Sequence, residues 1–233
     1  MNKKYIILLT ALPTILVLTS GLSLLLYVRD KGSDATPRES EVTRDGVQKT
    51  LDKLYNYIGK REMKSSAKFD NIRSVTAMVD GSLGPENLGY EVYHSEGEVS
   101  EGFIWPMLWI DLGAKKAGKV KVLAIAQQDE GAALALGMHF AEYVAGHWDG
   151  GHVKIVFYSP LMAGPNKEKI WKTLGVPETE RGGFYALISG SAVDEPSEVT
   201  TEQVQVELVT DPASAEQAEI IMDMLPKLEN LLK

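Results

Sequence analysis

Cysteine is absent from the 233 residues. The chain therefore has no disulfide framework, no thiolate nucleophile and no Cys-ligated zinc or iron–sulfur centre. Basic charge is also short: 24 Lys and Arg stand against 32 Asp and Glu, a formal net charge of −8. A surface that grips phosphate backbones needs clustered Lys and Arg, so nucleic acid is excluded as a partner. Over residues 178–233 the imbalance is 12 acids to 3 bases, which reads as a solvated acidic face. No Gly-x-Ser-x-Gly elbow and no Gly-rich phosphate signature after a strand occur, which removes the commonest frames for serine hydrolysis and nucleotide binding. What remains is ordinary for a globular protein: 44% of residues are hydrophobic and 24% charged.

One long apolar run is present. From Tyr5 to Val28, 24 residues pass without a charge. As a helix the run spans roughly 36 Å, enough to cross a bilayer core of about 30 Å. It is longer than the apolar core of a cleaved signal peptide, so it reads as an uncleaved membrane anchor over residues 1–30. Lys3 and Lys4 precede it and Arg29 and Lys31 follow it; the short Lys-Lys amino end places the N-terminus inside and the bulk of the chain outside the cytoplasm. Residues 31–44 are polar, with Gly, Ser and Pro, and read as a linker. Residues 45–233 suffice for one core.

Within that part, Val47, Leu51, Leu54, Tyr55 and Ile58 fall on one helical face over 45–62. Short strands are expected over 74–79, 89–94 and 103–112, the last with Pro106 implying an edge or a bulge. Nearly continuous apolar strands follow over 119–126, 152–158 and 183–189, and an alternating one over 204–209. Helices are expected over 131–145, 167–174 and 213–232. Strands alternating with helices predict an α/β domain, with a mixed, mainly parallel sheet covered on both faces.

The order of elements carries a resemblance. Tyr57-Ile58-Gly59-Lys60-Arg61-Glu62, then Asn87-Leu88-Gly89-Tyr90-Glu91-Val92, then Met107–Leu112 resemble the opening of the zinc-dependent exopeptidase family of aminopeptidases, glutaminyl cyclases and glutamate carboxypeptidase. Val120–Ala126 resembles its central strand, Gly131-Ala132-Ala133-Leu134-Ala135-Leu136 its next helix, Ile155-Val156-Phe157-Tyr158 its next strand, and Gly183–Ser189 a later one. The likeness covers residues 45–190 and implies a three-layer sandwich. It also implies where the family's metal histidine falls: on Gln127. Gln128 follows, Asp129 matches only an orienting Asp, and Glu130 leads straight into the helix where the family inserts a loop with a bridging Asp. Ser159-Pro160-Leu161-Met162 stands where the family has its Glu pair. A zinc hydrolase needs about three protein ligands per metal and a base. The resemblance thus implies a nicastrin-like relative that has lost its metals and acts as a binding or assembly module in a membrane complex, with a protein partner and no cofactor.

Gln127, Gln128, Asp129 and Glu130 are then the candidates for a vestigial pocket, because they stand at the carboxyl end of a strand. Asp129 is also placed to cap the following helix. His147, Asp149 and His152 fall within six residues and are the weak metal candidates, since a Gly-Gly turn between them would have to fold them together. They carry the alternative reading, a metal-dependent hydrolase with an atypical site; a purely structural subunit is a further one. His139 reads as a satisfied core histidine. Tyr93, Trp105 and Trp109 read as core or sheet edge, with a partner-binding strip as the other option.

Overall fold

The computed structural model describes residues 37–61, 66–97, 105–114, 118–127, 131–158, 167–189, 202–206 and 211–233. The chain divides into two units, Met1–Ala35 and Thr36–Lys233. The expected membrane span, Tyr5 to Val28, lies outside the described residues. Among the described residues, no helix is long and apolar enough to cross a membrane.

Helix α1 (Arg44–Asp52) starts where the Thr43 hydroxyl accepts from the N–H of Gly46, the usual way an N-cap satisfies a free donor. It runs on as a wider π turn, Lys53–Ile58, and stops at Gly59, whose φ of 72° is open to glycine at little cost. Val47, Leu51 and Leu54 point into the core, as their spacing predicts. Helix α2 (Ser66–Leu83) replaces the strand expected over 74–79. Val75, Thr76 and Val79 favour a strand by residue type, but Ile72, Val75, Val79 and Leu83 recur every three or four residues and all turn inward. The packing period overrides the local preference.

Six strands form one sheet: β1 (Tyr93–Gly97), β2 (Trp105–Leu112), β3 (Val120–Ala126), β4 (Val153–Tyr158), β5 (Arg181–Ser189) and β6 (Glu202–Val206), in the spatial order β1-β2-β4-β3-β5-β6. The β4–β3, β3–β5 and β5–β6 pairs are parallel; β2 runs antiparallel to both its neighbours. The sheet is therefore mixed and mainly parallel, as the apolar strands predict. Strand β1 begins four residues later than expected, because Gly89 and the buried Tyr90 still belong to the preceding turn. Strand β2 is internal rather than an edge. Pro106 fits there because the ladder to β4 begins at Leu108, so its missing N–H leaves that ladder intact.

Two apolar layers flank the sheet. Leu123, Ile125, Ile155, Phe157 and Leu187 face α1, α2, α3 (Gly131–Tyr143) and α5 (Ala215–Leu232). Val122, Ala124, Val156 and Phe184 face the short helix α4 (Lys167–Thr173), through Ile170 and Trp171. Helix α3 is buried on every side, and its Gly137 lets it approach β3. A Cβ there would overlap the Ile125 side chain and stand 3.5 Å from Phe157 Cε1.

Candidate functional site

From β3 the chain leaves toward β4, and from β5 toward β6, on opposite sides. The carboxyl ends of β3 and β5 thus frame a topological switch point, where open α/β sheets bind ligands. Gln127 follows the last residue of β3, at that point.

Every hydrogen-bonding group of Gln127 is engaged inside the protein. Its backbone N–H donates to the Tyr158 carbonyl at 2.8 Å, extending the β3–β4 ladder. Its Nε2 donates to the Phe157 carbonyl at 3.1 Å, and its Oε1 accepts from Thr76 Oγ1 at 2.7 Å. Its carbonyl accepts from Arg61 Nε at 2.8 Å. Gln127 is 0% exposed and Arg61 2%. The Arg61 guanidinium also donates from Nη1 to the carbonyls of Leu54 at 3.0 Å and Gly59 at 3.1 Å. One rigid fork therefore joins the end of the α1–π helix to the end of β3. This is the use for which guanidinium suits a buried position.

The amides opening α3 at the same end are occupied as well. Tyr55 Oη accepts from the N–H of Ala132 at 3.0 Å, and Ser189 Oγ from that of Ala133 at 2.9 Å. Gly131 is required for this approach, since a Cβ would stand 2.6 Å from Tyr55 Cζ. The N–H groups expected to go to a capping carboxylate are taken by hydroxyls from the π turn and β5. Gln128, Asp129 and Glu130 themselves lie outside the described residues.

Chemically, the described residues at this end offer an amide, hydroxyls and a permanent cation. A neutral amide is a poor zinc ligand. A guanidinium bonded at 2.8 Å to the carbonyl of Gln127 repels a divalent cation through a medium of low polarity. Arginine does not deprotonate in proteins, so it supplies no base.

The second group of candidates stands at the other end of the sheet. Asp111 Oδ1, on β2, accepts from His152 Nε2 at 2.7 Å and from Lys154 Nζ at 2.6 Å, with all three side chains largely buried. Asp149 pairs with Lys233 Nζ at 2.7 Å. His147 Nδ1 lies 3.3 Å from the Ala145 carbonyl, its ring edge-on to Tyr143. The three metal candidates are thus held by different neighbours. Among the described residues, no three His, Cys, Asp or Glu side chains come together as a metal set. Tyr93 stacks on Trp109 across the β1–β2 pair, ring centres 5.5 Å apart. Burial, the bond to Glu91, and the charges of Glu91 and Asp111 push its phenol up to about 12. The Trp105 side chain lies outside the described residues.

His139 sits between α3 and α1. Its Nδ1 lies 2.8 Å from Glu142 Oε2 and its Nε2 2.9 Å from Thr50 Oγ1. The hydrogen bond from His139 holds the Glu142 carboxyl below its ordinary range, with burial opposing and a bond from Ser40 assisting. The connectivity is that of a hydroxyl–imidazole–carboxylate triad. Thr50, however, is a helical residue, also bonded to the Gly46 carbonyl one turn back at 3.1 Å. Sequence reasoning reached Gln127 and the satisfied His139 but missed Arg61, Thr76, Tyr55 and Ser189. Each meets its partner across 51 to 77 positions of chain, and no local pattern marks it.

No protein-family model matches the chain. No curated protein matches it either. Among solved structures it is similar to the LapA aminopeptidase of Legionella pneumophila, at 11% identity and a TM-score of 0.45, covering 64% of this chain and 43% of that one. It is also similar to the glutaminyl cyclase of Porphyromonas gingivalis, at 12% identity and a TM-score of 0.43, covering 63% of this chain and 60% of that one. A third such structure is human carnosine dipeptidase 1, at 11% identity and a TM-score of 0.49, covering 64% of this chain and 39% of that one. The chain thus spans less than two thirds of the length of each of these three proteins.

Proposed function

We propose that this chain is a membrane-anchored, non-catalytic peptidase-like domain that serves as a binding or assembly module outside the cytoplasm. The carrying observation is Gln127. At the position that the sequence resemblance gives to a metal histidine stands a fully buried amide, bonded to Thr76, Phe157 and Arg61. A metal there would have to displace these bonds and sit beside a buried guanidinium. The apolar run from Tyr5 to Val28 supports the anchor, and its Lys-Lys amino end supports the orientation. The hydrolase alternative through His147, Asp149 and His152 requires His152 to leave Asp111 and Asp149 to leave Lys233.

Calorimetric zinc titration of the full chain in detergent, run beside an aminopeptidase assay, tests the catalytic half. The expected result is neither stoichiometric binding nor turnover. Tight zinc with turnover that disappears in His147→Ala overturns it. Alkaline washing of membranes tests the anchor: the chain stays with the lipid, and its release overturns that half.

A further inference from the structure

The contact between α1, α3 and the strap of residues 37–43 contains a conflict over one proton. His139 is 8% exposed. Its Nδ1 faces Glu142 Oε2 at 2.8 Å, and its Nε2 faces Thr50 Oγ1 at 2.9 Å. Glu142 Oε1 accepts from Ser40 Oγ, in the strap, at 2.7 Å. Thr50 Oγ1 also lies 3.1 Å from the Gly46 carbonyl. A hydroxyl has one proton to give. When the ring is neutral, with its proton on Nδ1 toward Glu142, Nε2 is an acceptor. Thr50 must then give its proton to Nε2 and leave the Gly46 carbonyl without it. When the ring carries both protons, Nε2 donates to Thr50 and Thr50 donates to Gly46. Glu142 then accepts a charge-assisted bond from Nδ1, the stronger kind. Only this form turns all four contacts into hydrogen bonds.

We propose that Thr50, His139 and Glu142 form a proton-operated latch, in which uptake of the second ring proton tightens α1 on α3. Histidine is the side chain suited to such a switch between about pH 5 and 8. The surrounding charges leave Glu142 as the carboxylate bonded to the ring. On α1, Asp45 and Lys49 pair with each other at 2.7 Å in solvent. On the strap, Glu39 and Glu41 are exposed. On α5, Glu219 pairs with Arg44, and the group nearest the core is the neutral Gln217. On α2, Asp80 pairs with His94; beneath α3, Lys121 donates to the Leu232 carbonyl.

Amide hydrogen exchange on the full chain, corrected for the intrinsic rate at each pH, tests the latch. The opening constant of α1 should be about fivefold smaller at pH 5 than at pH 8, the worth of about one hydrogen bond. Thr50→Val removes the hydroxyl while keeping its shape, and should flatten the pH dependence in α1. Ser40→Ala, at an exposed site, should loosen the strap at both pH values and leave the dependence in α1. The proposal is overturned by equal protection of α1 at pH 5 and 8. It is equally overturned by a pH dependence that survives in Thr50→Val, or by nitrogen chemical shifts that show a neutral ring at pH 5.

Discussion

The two ends of the parallel sheet differ in kind. Among the described residues at the carboxyl ends of β3 and β5, the polar side chains are an amide, three hydroxyls and one guanidinium, and they bond mainly to backbone. Gln127, Thr76, Tyr55, Ser189 and Arg61 hold together the ends of the α1–π helix, α3, β3 and β5 and the middle of α2. At the amino end stand the groups with acid–base chemistry: Asp111, His152 and Lys154 in one cluster, with His147 and Asp149 in the turn before β4. Parallel sheets direct ligands to the carboxyl end. Among the described residues, those at the end where position favours chemistry make structural bonds, and the acid–base side chains named here stand at the end where position favours stability.

The comparison breaks most readily at Arg61. Arg61→Met should remove the donor from the carbonyls of Gln127 and Gly59, while the Leu54 carbonyl keeps the Gly59 N–H at 3.1 Å, at a cost of roughly 3 kcal/mol. Arg61→Lys should recover less than half, because an ammonium cannot span the three acceptors that the planar fork reaches. Chemical denaturation measures both. A loss near zero for Arg61→Met would mean that water already reaches this end.

Next in size is Gln127→His, which restores the imidazole that the sequence resemblance expects. It should lower stability by about 2 kcal/mol, through the lost bond to Phe157, while the Thr76 hydroxyl keeps the Ile72 carbonyl at 2.9 Å. It should still bind no zinc in calorimetry, since Arg61 stays beside it. Recovery of tight zinc from this one change would erase the distinction between the two ends. At the amino end, Asp111→Asn keeps the shape but removes the charge facing His152 and Lys154. A cost of about 1.5 kcal/mol is expected, with zinc affinity and any peptidase turnover unchanged.

These residues also show where the sequence was legible. The parallel strands and α3 could be read because burial on both faces writes a continuous apolar run, as in Val120–Ala126. The register of α5 could be read from Ile221, Leu225, Leu228 and Leu232. Helix α2 was hidden by Val75, Thr76 and Val79, whose residue types argue for a strand while their spacing argues for a helix. Gln127 was reached through the family resemblance and through its place at the carboxyl end of an apolar strand. Arg61 was invisible because its significance lies in carbonyls 7 and 66 residues away, and a sequence carries no record of where a carbonyl will point. His152 and Asp149 sit close in sequence to His147, but the strand pairing hands His152 to Asp111 across β2 and β4, and Asp149 pairs instead with the last residue of the chain.

The smallest effect sharpens the comparison from the amino end. Tyr93 begins β1, stacks on Trp109 and donates to Glu91 Oε2 at 2.9 Å. Burial is the largest cause of its raised phenol, followed by the Glu91 bond, the Glu91 charge and the Asp111 charge. An ultraviolet titration should therefore show a tyrosine ionising near 12 that is missing in Tyr93→Phe. The sign follows from the shift. Because the folded protein holds this proton more tightly than the unfolded chain, the contribution to stability is complete below about pH 10 and is lost as pH rises toward 12. At neutral pH the phenol is uncharged in both states, and what Tyr93→Phe removes there is its hydrogen bond to Glu91. Glu91→Gln should bring the midpoint down further than Asp111→Asn, because Glu91 contributes both a bond and a charge. A midpoint near 10 in the wild-type protein would mean that water and counterions reach the β1–β2 ladder freely. The acid–base cluster around Asp111 would then be an open surface rather than a partly buried network.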